Sequence, residues 1–244
     1  MRALVPHGID DPDLHEVYAR NWVEVGGVRV NMISSADGGA TAAGLSEGLQ
    51  TPGDNRIFAV LRDLADVVLV GAATAVAENY RPVTASAERA AIRDRFGLRH
   101  DLPIAIASRS LRISRDAPLF GDPSRVPIIY TCESADAEIR RSLADVADVV
   151  ICGTDDLDLS AVRADLAARG LTRVLCEGGP TLFGAAVNAG AVDELCLSIS
   201  PLLVGPGSMR IIDGARWPLH HAMRLTDLLE EDGALFARYR LDRD

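Results

Sequence analysis

Three strand-to-helix junctions in the sequence combine small residues with groups suited to an anion. The first, Glu177-Gly178-Gly179-Pro180-Thr181-Leu182, follows the apolar Val174-Leu175 and opens a segment with helical character, Thr181 to Ala189. Paired glycines let a backbone turn tightly without a Cβ clash. Pro180 suits the first position of a helix, where its missing N–H would be unpaired anyway. The free N–H groups of such a first turn, with the helix dipole behind them, bind phosphate. The stretch reads as a diphosphate cradle or, more plainly, as a tight turn, since glycine pairs are common in turns. The second junction is Gly71-Ala72-Ala73-Thr74. The third, Ser108-Arg109-Ser110, follows the apolar Ile104-Ala105-Ile106-Ala107. In an open α/β sheet, ligands bind outside the carboxyl ends of the strands, so three such ends can jointly hold a dinucleotide. Arg109 can pair with a 2′-phosphate and select NADP over NAD; a solvated surface arginine is the equally plain reading.

A second polar group lies earlier in the chain. Val28-Arg29-Val30-Asn31-Met32-Ile33-Ser34 reads as a strand and runs into Ser35-Ala36-Asp37-Gly38-Gly39. Asn31, Ser34, Ser35 and Asp37 collect at its end. Before two glycines, Asp37 suits a turn in which it bonds its own backbone; alternatively it is an acid facing a substrate. Glu78, in Glu78-Asn79-Tyr80, is a second candidate acid or a solvated side chain. A carboxyl group that gives up a proton near neutral pH needs its pKa raised by burial.

Other chemistries find little footing. Neither GxGxxG, a Walker-type GxxxxGK[ST] nor a GxSxG elbow occurs. Cys132, Cys152, Cys176 and Cys196 lie far apart beside apolar runs, without CxxC spacing. They read as buried packing residues in a reduced cytoplasm. His7, His15, His100, His220 and His221 fall outside the polar clusters, and the adjacent His220-His221 reads as surface, so no metal site is expected. The chain carries a net charge of −10 and no stripe of Lys and Arg, which argues against nucleic acid and anionic membrane as partners. No apolar run approaches the roughly 20 residues that span a membrane, and the start lacks the apolar core of a signal peptide.

These groups need elements to position them. With 244 residues, 48% of them hydrophobic, the chain can bury one large α/β core. Residues 1–21 read as an arm or short helix, and residues 40–52 as a loop. A helix starts at Pro52-Gly53-Asp54-Asn55, with Ile57, Phe58, Leu61, Leu64 and Ala65 on one face. Short apolar runs at 66–71, 103–107, 127–131, 148–153 and 173–177 predict central parallel strands. Helices are expected near 74–79, 88–95, 136–143 and 159–167. The runs 193–200 and 234–241 alternate with period two, and the latter predicts an antiparallel edge strand. Strand and helix alternate throughout, so the expectation is one open, mostly parallel sheet with helices on both faces.

Asn31-Met32-Ile33-Ser34-Ser35-Ala36-Asp37-Gly38, Asp66-Val67-Val68-Leu69-Val70-Gly71 with Thr74, Glu177-Gly178-Gly179-Pro180-Thr181-Leu182, and Val192-Asp193-Glu194-Leu195 with Pro201-Leu202-Leu203-Val204-Gly205 occur in an order that resembles the RibD C-terminal reductase domain. That family belongs to riboflavin biosynthesis, and the resemblance, from about residue 22 onward, is closest to free-standing actinobacterial RibD-like reductases. It implies a dihydrofolate-reductase-like α/β domain over 22–244, NADPH as cofactor, a cytoplasmic homodimer, and reduction of 5-amino-6-(5-phosphoribosylamino)uracil to its ribitylamino product. Dihydrofolate-reductase-like activity on a pteridine, or a non-catalytic NADP sensor, are the alternatives. The cofactor-binding residues it implies are Gly71, Thr74, Ser108, Arg109, Glu177, Gly178, Gly179, Thr181 and Leu182. Asn31 and Ser34 would hold the substrate, and Asp37, ahead of Glu78, would supply the proton. The chain has Asn31 where the family often has Lys, and Glu78-Asn79-Tyr80 where it often has Asp-Asp/Asn-Pro. Neither the HxE nor the PCxxC of the zinc deaminases occurs.

Overall fold

The computed structural model describes residues 1–5, 8–84, 86–217 and 220–242; His7 lies outside them. In chain order its elements are β1 (Arg2–Val5), β2 (Ile9–Asp10), α1 (Leu14–Ala19), α2 (Trp22–Val25), β3 (Gly27–Ser35), α3 (Pro52–Leu64), β4 (Val67–Gly71), α4 (Ala72–Ala77), α5 (Ala87–Arg95), β5 (Ile104–Ala107), β6 (Ile128–Thr131), α6 (Ala137–Leu143), β7 (Asp148–Ile151), α7 (Leu159–Ala168), β8 (Arg173–Cys176), α8 (Pro180–Asn188), β9 (Glu194–Ser200), β10 (Met223–Glu231) and β11 (Ala234–Leu241). The strands form one sheet in the order β2-β1-β10-β11-β9-β3-β8-β4-β5-β6-β7. The run from β9 to β7 is parallel, and β11, β10, β1 and β2 add to it antiparallel.

The α/β expectation holds, and its cause is visible strand by strand. β4, β5 and β6 are apolar on both faces, and their residues are buried almost throughout, as strands covered by helices on both sides must be. One core, on the α3 side, collects Ile57, Leu61, Leu64, Val68, Ile106, Ile129 and Cys196. The other, beneath α7 and α8, collects Val30, Leu69, Tyr130, Val162, Leu166, Cys176 and Phe183. The four cysteines are free and buried. No helix among the described residues is long and apolar enough to cross a membrane.

α3 shows how local signals set a boundary. Thr51 caps it by accepting from the Asp54 N–H at 3.2 Å, Pro52 follows, and Ile57, Val60, Leu61 and Leu64 face the core. At the other end the fully buried Arg93 donates to the carbonyl oxygens of Asp63 (2.9 Å) and Ala65 (2.8 Å), a cation where the helix dipole favours one.

Four expectations need correction. Residues 1–21 hold the helix α1 and also β1, which pairs with β10 and extends the sheet. The loop of residues 40–52 includes a 3-10 turn at Glu47–Leu49, and the helix expected near 74–79 already starts at Ala72. β11 is no edge: it lies between β9 and β10. β10 carries Arg224, Thr226 and Asp227 among its apolar residues, which hid its period-two pattern. Asp227 is buried because Arg20 and Arg238 neutralise it.

Candidate active site

β8, β4 and β5 are consecutive neighbours, so the three junctions singled out in the sequence end side by side at the carboxyl edge. Glu177 N–H donates to the Leu69 carbonyl at 2.9 Å, and Gly71 N–H donates to the Gly178 carbonyl at 2.7 Å. A Cβ on Gly71 would stand 3.5 Å from Gly179 N and 3.6 Å from Gly178 O. The Gly178–Gly179 peptide is cis, and Gly178 has φ +80°, a conformation that favours glycine. Gly179 has an ordinary φ of −70°, yet a Cβ there would collide with Thr74 Oγ1. Its glycine therefore serves close approach rather than chain reversal. Pro180 opens α8; Thr181 is exposed and Leu182 half-buried on its first turn.

Glu177 turns away from this edge. Its carboxylate accepts two bonds of 2.7 Å from the Arg62 guanidinium and one from the Tyr80 hydroxyl. The guanidinium in turn lies over Phe58, 4.3 Å from the ring centroid. Burial, and next the Glu177 charge, push the Tyr80 hydroxyl pKa well up. Glu177 thus clamps the start of the Gly-Gly junction to α3.

On β5, Ser108 is buried and its hydroxyl oxygen accepts from Leu111 N–H at 2.9 Å. Arg109 is exposed and makes no ion pair among the described residues. Its position beside the end of β4 follows from the register Gly71 to Ala107.

The end of β3 does not gather Asn31 and Ser34 on one surface. Side chains alternate along a strand, and the pairing of β3 with β9 runs without a shift from Arg29 to Ser35. Asn31 therefore shares the α3-side face with Cys196, whereas Ser34 shares the opposite face with Met32, whose sulfur stands 3.0 Å from where a Gly178 Cβ would be. Asp37 is a tie between loops. Its carboxylate accepts from Ser35 Oγ (2.5 Å), Gly205 N–H (2.8 Å) and Val204 N–H (3.2 Å). The Ser35 bond, and then the two backbone bonds, hold its pKa below the usual carboxylate range. A proton donor needs the opposite shift. Glu78, at the end of α4, is half-buried and accepts from Ser46 Oγ (2.9 Å) and Ser46 N–H (3.1 Å).

Sequence reasoning passed over one residue here. Asp54, in the first turn of α3, is 7% exposed, and burial raises its pKa. The neighbouring Ser198 hydroxyl offsets part of that rise. Ser198 registers with Ile33, placing Asp54 over the face of β3 that carries Asn31. On that face the Asn31 Oδ1 and Ser200 Oγ atoms are buried without a hydrogen-bond partner. An acidic first-turn residue looks in sequence like ordinary helix-dipole compensation, which is why nothing marked it. Two concavities, of 290 Å³ beside Leu102 and Val126 and of 430 Å³ beside Trp22 and Arg240, involve none of these residues.

Fold and site together define an open-sheet α/β protein whose polar and glycine-rich groups converge at the carboxyl edge. The profile of the RibD C-terminal domain matches residues 27–230, and the chain belongs to that family. It is 27% identical to the 2,5-diamino-6-ribosylamino-4(3H)-pyrimidinone 5′-phosphate reductase of Archaeoglobus fulgidus, over 87% of this chain and 97% of that protein. With the protein of the same name from Methanothermobacter thermautotrophicus it shares 31% identity, over 77% of this chain and 83% of the relative. The crystal structure of a pyrimidine reductase-like protein from Corynebacterium diphtheriae superposes with a TM-score of 0.86 at 28% identity, covering 95% of this chain and 99% of that one.

Proposed function

We propose that the chain is an NADPH-dependent reductase of a 6-ribosylaminopyrimidine 5′-phosphate. The observation that carries this reading is the adjacency of Gly71, Ser108 and Gly178-Gly179 on three neighbouring strand ends, in a chain of this family. A Cβ on Gly179 would fill the cradle at Thr74, so the residues fit a dinucleotide whose diphosphate approaches the backbone. The relatives named as pyrimidine reductases support this substrate class over a pteridine and over a non-catalytic NADP sensor.

In this reading the N–H groups of Thr181 and Leu182 donate to the diphosphate. Gly71 and Gly178 leave room for it, and Thr74 lines the junction. Ser108 keeps its hydroxyl hydrogen for the ligand, since its oxygen already accepts from Leu111. Arg109 pairs with the 2′-phosphate. Glu177 acts through Arg62 and Tyr80, holding the junction rigid. When bound, the cofactor supplies hydride. At the substrate, hydride adds to ribose C1′, the C1′–O4′ bond breaks, and a proton goes to O4′. Asp37 positions the loops at the mouth, Asn31 contacts the heterocycle, and Ser34 supports the cofactor side. Glu78, half-buried at the end of α4, is the proton donor.

Oxidation of NADPH in the presence of phosphoribosylaminopyrimidines, with the ribitylamino product identified by mass, tests the reading. Tight NADPH binding without turnover of any such pyrimidine would sink it and restore the sensor.

The proposed homodimer loses one argument and keeps another. The strands 194–200 and 234–241 are internal to the sheet, so neither offers an open edge. Exposed apolar side chains remain in this half of the molecule, Leu203 (80%), Met209 (52%) and Met223 (46%) among them, and a second copy would cover them. Sedimentation at micromolar concentration decides.

A further inference from the structure

At the amino edge of the sheet, β10, β11, β9 and β3 bring four charged residues into one row. Arg224 lies opposite Arg240, Arg240 opposite Glu194, and Glu194 beside Arg29. Residues in register share a face, so three guanidinium groups stand in line with one carboxylate. That carboxylate is engaged: Arg29 Nε and Nη2 donate to Glu194 at 2.8 and 2.6 Å. Arg224 and Arg240 are exposed and make no hydrogen bond or ion pair among the described residues. Like charges directly opposite on neighbouring strands destabilise a sheet, and an anion held between them reverses that sign. The 430 Å³ concavity opens at this row, with Trp22, Val28 and Leu241 as its apolar wall and Val25, 78% exposed, on its rim. Of its other carboxylates, Asp193 is paired with Arg163 at 3.1 Å and Asp242 is exposed.

We infer that Arg224 and Arg240 together bind the phosphate of an organic phosphate monoester, whose carbon body lies in this concavity against Val25 and Leu241. A guanidinium presents a planar fork that meets two oxygens at once. A phosphate monoester has two negative charges and oxygens enough for both forks. A carboxylate satisfies one fork and leaves the second cation facing the first. The chain carries a net charge of −10, so it has no general attraction for anions and the binding is local. The volume of the concavity is that of a small-molecule site. The site is separate from the candidate active site at the opposite edge. Arg29 and Ser35 lie six residues apart on β3, which sets the two edges about 20 Å apart. The inference does not depend on the reductase reading.

Phenyl phosphate is the probe, with inorganic phosphate and benzoate beside it, each titrated by calorimetry into the full chain with NADPH present to occupy the cradle. The wild type is expected to bind phenyl phosphate most tightly of the three and to gain melting temperature with it. Arg224→Ala and Arg240→Ala should each weaken that binding by about 10- to 100-fold, the range of a hydrogen bond to a charged group. Arg109→Ala, at the opposite edge, should leave it unchanged. Removing one of two facing cations relieves repulsion, so both variants should melt no lower than the wild type, and their loss of binding is then not a loss of fold. Absence of binding at millimolar phenyl phosphate overturns the inference. So does binding that survives both Arg224→Ala and Arg240→Ala but is lost in Arg109→Ala, which would place the phosphate at the carboxyl edge. Inorganic phosphate bound as tightly as phenyl phosphate overturns the organic ester, and benzoate bound as tightly overturns the dianion.

Discussion

Arg62 and Glu177 form a bidentate ion pair, 2.7 Å at each contact, that ties the last turn of α3 to the first residue beyond β8. The Glu177 side chain is 3% exposed and that of Arg62 19%. Removing one partner leaves the other buried and uncompensated. Glu177→Ala is expected to cost about 3–5 kcal/mol, or roughly 6–20 °C in melting temperature, and to weaken NADPH binding because the Gly-Gly junction loses its anchor. Thermal denaturation and fluorescence titration check both. An unchanged melting temperature would mean that the pair is not formed in solution.

Gly179→Ala separates sterics from ligand approach. The nearest obstacle to its Cβ is Thr74 Oγ1, and the next, Thr74 Cβ, stands at 3.7 Å. In the double variant Thr74→Ala, Gly179→Ala the collision is gone and the ordinary φ of residue 179 is kept. The double variant should melt like the wild type and still bind NADPH at least tenfold more weakly, because a methyl group remains in the diphosphate's path. Full recovery of binding would reduce Gly179 to a packing residue.

Arg109→Ala tests cofactor choice. The side chain is exposed and unpaired among the described residues, so its removal should leave the fold intact. The wild type should prefer NADPH to NADH, and the variant should lose roughly 10- to 100-fold of that preference. Equal wild-type affinities for the two cofactors would remove Arg109 from the site.

Asp37 and Glu78 divide by the size of the loss in kcat. Bonds from Ser35 and from the Val204 and Gly205 N–H groups hold the Asp37 carboxyl low. Asp37→Asn should lower kcat only severalfold, by loosening the loops. Glu78→Gln should lower kcat by about 10²–10⁴ with NADPH affinity unchanged. A fully active Glu78→Gln enzyme would leave protonation to solvent.

Asp54 also sets a stability trade. Its folded pKa is raised, chiefly by burial, so the folded state favours the protonated carboxyl. The wild type therefore loses stability as pH rises from the unfolded pKa, about 3.9, through the raised folded value. Asp54→Asn, which cannot ionise, should match the wild type near pH 4 and exceed it in melting temperature at pH 7. The same temperatures at both pH values would show that Asp54 is solvated.

The sequence by itself determined the class of fold and the three anion-suited junctions. Runs such as Val67-Val68-Leu69-Val70 are apolar on both faces, which only a covered parallel strand requires, and Gly178-Gly179-Pro180 marks its own turn and helix start. Those signals are local, carried within a few residues. Strand order is not local. Only the tertiary structure set β8, β4 and β5 side by side, moved 234–241 from an edge to the interior, and split Asn31 from Ser34 across the sheet. It also gave the carboxylates their identities. Glu177 stands beside a glycine pair in sequence, yet it is consumed by Arg62, which lies 115 positions away. Asp37 looks like an acid until Val204 and Gly205 fold onto it. Asp54 looks like a helix-start residue until burial without a cation sets it apart. A carboxyl group's chemistry is fixed by its desolvation and its partners, and both arrive from distant parts of the chain.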